Sequence, residues 1–385
     1  MNIDKTYPSV TEMEAAAHRK LPLFMRDYLF GALGANVSRQ KNRDDLNAVE
    51  FMPRYLSDAT APDIRARLFG RDYDAPFGVA PVGLSGLIWA NAERILAAAA
   101  KRHNIPYTLS TVATASLEDI RAVAGEHAWF QLYTPKPPEV LKDMLGRCDR
   151  VGYDTLLLTV DVPYETRREH DIRNGITVPP TFNAWTVFQM VTHPEWALRM
   201  LFSGIPEFAN LKPYYELGNS KNIGKSIVAS TRFSRDNMGG HILQPRFAQI
   251  RDLWKGNLVV KGVMDSEEAK QYIALGADGL VVSNHGGRQL DAAPSTVKVL
   301  PRIRAAVGPD VPIIVDSGAR NGLDIARMLA LGADFVLMGR AFLFAVAALD
   351  QQGGDHVMKI LKAQLRCAMG QIGCPTLRDL PKFLA

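Results

Sequence analysis

Three observations predict an α/β chain folded as a (β/α)8 barrel, with a helical cap before the barrel and a long insertion after its fourth strand. From about residue 75 onward, short β-branched runs alternate with amphipathic stretches, the rhythm of repeated βα units on a parallel sheet. There are eight such runs, the number a closed barrel of this type requires. The chain has 385 residues, 47% hydrophobic and 22% charged, which suffices for one large barrel or two to three smaller domains. The count of eight favours the barrel.

Residues 1–70 are expected to form the cap, with a helix over 23–32, and residues 75–385 the barrel. Its strands are read at 77–81 (FGVAP), 106–110 (PYTLS), 129–133 (WFQLY) and 155–161 (TLLLTVD). Four more follow at 257–261 (NLVVK), 279–283 (GLVVS), 312–316 (PIIVD) and 335–338 (FVLM). Helical periodicity fills the intervals at 91–103, 137–150, 266–275, 295–307 and 321–331, and a last amphipathic helix is expected over 355–369. The tripeptide GAD stands at 276–278 and again at 332–334, each glycine placed to end a helix just before a strand.

One interval breaks the rhythm, because roughly a hundred residues separate the fourth and fifth strands where a repeat needs about twenty to thirty-five. The excess is assigned to an insertion over 174–237. No formally charged residue lies between Arg173 and Glu195, and Pro179, Pro180 and Pro194 prevent one continuous helix. Downstream, Trp196, Leu198, Met200, Leu201, Phe202 and Ile205 accompany few charges. This stretch fits either a membrane interface or packing on its own barrel or on another subunit.

Composition excludes several classes. The chain is not disordered, collagenous or a small disulfide scaffold. Cys148, Cys367 and Cys374 have no metal-ligand spacing and are odd in number, so reduced thiols and no metal site are expected. The formal charge of +5 is mildly basic and suits an anionic membrane surface or substrate; no basic cluster with interleaved aromatics points to nucleic acid. The opening MNIDKTYPSV does not read as a secretory signal, and no run of eighteen apolar residues would span a bilayer. A cytoplasmic setting is expected.

In α/β barrels the chemistry collects at the C-terminal ends of the strands, and here those ends are polar. The third carries Gln131 and Tyr133, the fourth Thr159 and Asp161 with Arg167 and Arg168 beyond, and the fifth Lys261. The sixth runs into SNHGGRQLD at 283–291, where two glycines let the backbone bend around a ligand beside His285 and Arg288. Histidine can serve as a general base near neutral pH, and arginine offers a planar fork matched to a carboxylate. Asp161 can orient the imidazole or act as a turn or helix cap, and Arg168 can supply a second carboxylate contact. Asp316-Ser317-Gly318-Ala319-Arg320 and Gly339-Arg340 end the seventh and eighth strands, where barrels bind phosphate. A phosphorylated cofactor is expected, and the absence of a Walker loop and of a strand-linked GxGxxG argues against P-loop and Rossmann chemistry.

SNHGGRQLD, together with FQLY at 130–133, TVDVP at 159–163, KG at 261–262 and the stretch from DSGARNGLD to LGADFVLMGRA, closely resembles the FMN-dependent 2-hydroxy acid dehydrogenase and oxidase family. The likeness begins at LPLFMRDYLFGA (21–32) and runs through APVGLSG (80–86) and LSTVAT (109–114) to the C-terminal helix. It implies that His285 is the active-site base, Asp161 its partner, Arg168 and Arg288 the clamp on the substrate carboxylate, and Tyr28 and Tyr133 the substrate-facing tyrosines. FMN is implied at Pro81, Val82, Gly83, Ser110, Gln131, Thr159, Lys261, Ser283 and Asp316, with its phosphate at Gly318, Arg320, Gly339 and Arg340. Lys261 is then placed to stabilise negative charge on the reduced flavin. Whether His285 takes the Cα proton or the hydroxyl proton stays open.

Val112 stands where glycolate oxidases carry a tryptophan, which suits lactate or a larger acid. The insertion resembles that of the family's membrane-associated branch, which oxidises L-lactate or (S)-mandelate. Six basic against three acidic residues over 173–232 give it a net +3, enough to favour an anionic leaflet modestly. The implied function is oxidation of L-lactate to pyruvate at the cytoplasmic membrane face, with a quinone or other membrane carrier as acceptor, no haem domain ahead of the barrel, and a homotetrameric assembly. (S)-mandelate oxidation and a soluble oxidase producing hydrogen peroxide are the alternatives. A catalytically silent flavin scaffold is disfavoured, since it would not need the His, two-Arg and two-Tyr set.

Overall fold

The computed structural model describes residues 2–174, 184–203, 207–215 and 223–385. The cap is helical, and it holds more helices than the one located at 23–32. It comprises α1 (Ile3–Thr6), α2 (Val10–Lys20), α3 (Leu23–Phe30) and α4 (Val37–Asn47), followed by a hairpin of β1 (Ala66–Leu68) and β2 (Arg71–Tyr73). Eight strands then follow: β3 (Phe77–Val79), β4 (Tyr107–Ser110), β5 (Ala128–Leu132), β6 (Thr155–Thr159), β7 (Asn257–Val263), β8 (Gly279–Val282), β9 (Ile313–Val315) and β10 (Phe335–Met338). They close into one barrel, each parallel to its neighbours, with β10 returning to β3. The predicted fold class is the observed one.

The barrel interior is filled from its N-terminal end. Trp129 and Phe335 pack at a 6.4 Å ring separation, Tyr73 of the hairpin meets both, and Leu68 joins Leu157, Val259, Val281 and Ile314 in the same buried cluster. The small hairpin therefore plugs the bottom of the barrel with apolar side chains, and polar residues collect at the top. Register places them: Ser110 is level with Gln131 and Thr159 with Lys261.

Helices α5 (Ser85–Ile88), α6 (Ala92–Arg102), α7 (Leu117–Ala124) and α8 (Pro138–Val151) wrap the first half. After β7 come α14 (Ser266–Ala274), α15 (Thr296–Val307), α16 (Gly322–Ala330), α17 (Arg340–Leu349) and α18 (Gly353–Ile372). Gly276 and Gly332 take φ of 93° and 109° just past α14 and α16, as expected of glycines that end helices. Helix α17 escapes a periodicity reading because every residue from Ala341 to Ala348 is buried, so no polar face marks it. Strand ends differ by one to two residues from the sequence reading; β6 stops at Thr159 because the chain turns there to present Asp161.

Between β6 and β7 lie α9 (Glu169–Arg173), α10 (Ala184–Val191), α11 (Pro194–Ser203), α12 (Ile223–Asn237) and α13 (Gln244–Leu253). The parts of the expected insertion at 175–183, 204–206 and 216–222, Ile205 included, lie outside the described residues. Helices α10 and α11 dock on the body through specific bonds. Gln189 accepts from the Phe24 amide at 3.1 Å, the Trp196 indole donates to the Ile88 carbonyl at 3.1 Å, and Arg199 pairs with Asp350 at 2.9 Å. Trp196 and Met200, counted above among interface candidates, are instead buried against the body. The opposite face exposes Trp185, Phe188, Val191, Leu198, Leu201 and Phe202. No helix among the described residues is long and apolar enough to cross a membrane.

Candidate active site

The C-terminal ends of the strands open into a cavity of about 670 Å³, within the size range of small-molecule sites. His285 reaches it from the loop after β8. Its Nδ1 lies 3.1 Å from both carboxylate oxygens of Asp161, and its Nε2 is 3.3 Å from the Tyr133 hydroxyl. An anionic Asp161 makes Nδ1 the protonated nitrogen, which leaves the Nε2 lone pair on the side of Tyr133. Burial lowers the His285 pKa below the usual imidazole value, and it wins over the opposing pull of Asp161. Burial raises Asp161, but His285 and Lys261 outweigh it and hold the carboxyl below its ordinary range. The pair is thus a neutral imidazole braced by a carboxylate.

Local sequence explains how Asp161 comes so close. Gly262 has a φ of 108°, and a Cβ there would stand 2.6 Å from the Asp161 Cβ, so the glycine of KG leaves room that no other residue would. His285 itself adopts a left-handed φ of 56°, held by Ser283 Oγ accepting from its amide at 3.1 Å and Ser317 Oγ accepting from the next amide at 3.0 Å.

Arg288, Arg168, Tyr28 and Tyr133 line the same cavity. The Arg288 guanidinium stacks 4.8 Å over the Tyr28 ring, and its Nη1 donates to the Tyr28 and Gly31 carbonyls at 2.6 and 3.1 Å. The Tyr28 hydroxyl donates to Gly83 O at 3.1 Å. Among the described residues Arg168 Nε is buried without a hydrogen-bond partner, a donor left unsatisfied beside the cavity. All six substrate-side residues are brought together: five line the cavity, and Asp161 stands directly behind His285.

The opposite end of the cavity fits a flavin phosphate. Arg320 and Arg340 are enclosed, and among the described residues neither forms an ion pair with a carboxylate; Arg340 instead donates to the carbonyls of Leu29, Gly31 and Gly286. Burial, with other arginines nearby, pushes Arg320 down to about 10 and Arg340 well below its usual value. Glu14 offsets only part of that burial, and two enclosed guanidiniums with no paired carboxylate among the described residues suit a bound dianion. Gly318 and Gly339 keep the backbone open beside them, since a Cβ would meet Asn42 O at 2.8 Å at the first and Val82 at 2.9 Å at the second. A second cavity of about 540 Å³ shares Gly318, Arg320 and Arg340 with the first, so these residues are reached from two sides.

Lys261 lines the floor, with Nζ 2.9 Å from Ser283 Oγ and 3.1 Å from Asp316. Burial works against its charge, yet Asp316 and Asp161 raise its pKa overall, so it stands as a fixed cation. Pro81, Val82 and Gly83 form the wall after β3. Ser110, Gln131, Thr159 and Ser283 are not on the cavity surface. The first three form a buried chain behind it, Ser110 donating to Gln131 at 3.0 Å and Gln131 to Thr159 at 2.9 Å. Ser317, Gly262 and Asp171 complete the site; the first two stand in stretches quoted from the sequence, where neither was given a role of its own, and Asp171 was not singled out.

Comparison with known proteins agrees with this geometry. The L-lactate dehydrogenase of Vibrio parahaemolyticus is 38% identical over 373 residues, covering 97% of each chain. A crystal structure of (S)-mandelate dehydrogenase, described as a monotopic membrane protein, superposes with a TM-score of 0.92 at 35% identity, covering 98% of each chain. A mandelate oxidase structure with (S)-4-hydroxymandelic acid gives 0.83 at 33% identity over 98% of each. The model of the family described as FMN-dependent dehydrogenase matches residues 17–385. With that match over nearly its whole length, a histidine–aspartate pair at the strand ends and a cradle fitted to a flavin phosphate, the chain belongs to the FMN-dependent dehydrogenases.

Proposed function

We propose that this enzyme oxidises an L-2-hydroxy acid to the 2-oxo acid, with L-lactate to pyruvate as the leading reaction and a membrane quinone as acceptor. The observation that carries it is the neutral His285, braced by Asp161, facing the cavity opposite Arg168 and Arg288. In this reading the two guanidiniums hold the substrate carboxylate, Arg288 being fixed in place by its bonds to Tyr28 and Gly31. His285 Nε2 takes the proton released by the substrate, and Asp161 stabilises the imidazolium that results. Tyr133 orients the hydroxyl-bearing carbon beside that nitrogen. Bound FMN, held by the β3 wall, Lys261 and the Gly318–Arg320 and Gly339–Arg340 cradle, supplies the two-electron sink. Lys261 meets the charge that reduction places beside it.

Support for lactate comes from relatives bearing that name at 38% identity. (S)-Mandelate is the second reading, favoured by an apolar wall of Leu84, Val112, Phe208 and Met238 in the cavity, which has room for an aryl group. Membrane association is supported by the exposed apolar face of α10 and α11 and by a structural neighbour that is monotopic. The cytoplasmic face of the membrane and a homotetramer complete the proposal. Mixing the FMN-loaded protein anaerobically with L-lactate, D-lactate and (S)-mandelate, then admitting air, tests it. Bleaching by one L-acid with slow recovery in air is expected; fast recovery would move the assignment to an oxidase forming hydrogen peroxide. His285→Gln should keep the flavin and slow its bleaching by roughly 10²- to 10⁴-fold.

A further inference from the structure

Asp171 has no part in the chemistry above, yet it stands in the wall of the same cavity and is 9% exposed. It sits one turn after Arg168 on α9, with Oδ2 3.9 Å from Arg168 Nη1. That separation is too long for a hydrogen bond. Asp171 therefore faces Arg168 as a charge across a gap and does not grip it. Its other neighbours are His170 on its own helix, Asp27 and Tyr28 of α3, and Arg288 after β8. His170 in turn approaches Asp27 at 4.0 Å. Burial pushes the Asp171 carboxyl up, and Arg288 and Arg168 only partly offset this.

Burying a carboxylate without a close partner costs free energy, and a count of charge shows what this one changes. Arg168 and Arg288 bring two positive charges to one end of the cavity, and Arg168 disfavours the charged form of Arg288. Asp171 reduces that total to one. A single substrate carboxylate then brings these three groups to neutrality, with Asp27 adding further negative charge nearby, whereas a second anionic group on the substrate would leave an unmatched negative charge in a partly enclosed site. We propose that Asp171 is a specificity-determining positioning residue that matches the clamp to one carboxylate, so that the site takes 2-hydroxy monocarboxylates and discriminates against dianionic 2-hydroxy acids. This inference rests on Arg168 and Arg288 being the carboxylate clamp.

The test compares FMN-loaded wild type with Asp171→Asn, using L-lactate or (S)-mandelate as the monoanion and 3-sulfolactate, dianionic between pH 5 and 8, as substrate or competitive inhibitor. Asp171→Asn should lower KM for the monoanion and raise the preference for the dianion over the monoanion by about tenfold. A raised KM with an unchanged ratio would make Asp171 a mere support for Arg168 and overturn the proposal. In wild type the dianion preference should rise as pH falls toward the titration of Asp171, and this rise should vanish in Asp171→Asn. A rise that persists in the variant arises from a group other than Asp171 and counts against the proposal. Should the variant fail to hold FMN, the wild-type pH series decides alone, a flat ratio overturning it. Arg288→Met separates the two levels: an unchanged KM there would remove the clamp itself, while a raised KM beside an unchanged Asp171→Asn ratio would sink only the charge-matching role.

Discussion

His285 holds a left-handed backbone conformation that costs a non-glycine residue about 1–2 kcal/mol, and the serines at 283 and 317 keep it there through their hydroxyls. The strained position turns the imidazole edge toward Asp161 on one side and Tyr133 on the other. Because burial lowers the His285 pKa below the ordinary value of 6.5, the ring is neutral and ready to accept a proton through the neutral range. Activity should therefore be lost as pH falls through that lowered pKa, giving an acid limb in kcat/KM below about pH 6.5. Asp161→Asn removes the interactions that hold the imidazole pKa up. Its acid limb should move to still lower pH while the plateau falls on the order of 10²-fold or more. A limb that stays in place would detach Asp161 from His285. At this scale the gathering of the residues was legible: His285, Arg168, Arg288 and Lys261, named from the strand ends, line one cavity. Asp171 and Gly262 were not, because their meaning lies in a distance to another segment, which no local pattern carries.

At the scale of elements, alternation of β-branched runs revealed all eight strands, since buried parallel strands are continuous apolar stretches bounded by turns. Helices with a clean polar face, such as α6, α8, α14 and α16, were equally readable. Helix α4 and the buried α17 were missed for opposite reasons: the first is too polar to display an apolar stripe, the last has no polar face. The insertion is the instructive case. One face of α10 and α11 packs on the barrel, and the opposite face, apolar and exposed, is the one that the proposed membrane contact would use. Trp196 and Gln189 turn inward, while Leu201 and Phe202 stay 74% and 84% exposed. An apolar face of this kind binds a membrane interface in proportion to the area it buries. Leu201→Glu with Phe202→Glu should release the enzyme from anionic vesicles in a flotation assay without slowing flavin bleaching by the acid. Retention on the vesicles would place the contact elsewhere, and loss of bleaching would show that the face supports the barrel.

For the molecule as a whole, the cap, the barrel and the cofactor cradle are one energetic unit. Arg340 ties the loop after β10 to Leu29 and Gly31 of the cap and to Gly286 beside His285, so the arginine end of the cavity and the His285 end share a guanidinium. Arg320 is different: its guanidinium stacks over Phe344 and, among the described residues, donates only to the adjacent Ala319 carbonyl, while its backbone amide donates to Asp324, and burial depresses its pKa to about 10. Its charge is a liability to the folded chain until a dianion arrives. Binding that favours the folded state stabilises it by RT ln(1 + [L]/Kd), about 2.7 kcal/mol at a hundredfold excess over Kd. Apoprotein should accordingly melt several degrees below holoenzyme, and inorganic phosphate alone should restore part of the difference. Arg320→Met should leave apoprotein no less stable than wild type, because it removes a desolvated charge that holds little else. The same change should weaken FMN binding at least about tenfold, the loss of one charge-assisted contact, and shrink the thermal gain on loading. Scanning calorimetry of both proteins with and without FMN reads the two effects separately. A variant whose apoprotein melts lower than wild type would mean that Arg320 serves the fold, with its charge already balanced before the cofactor binds.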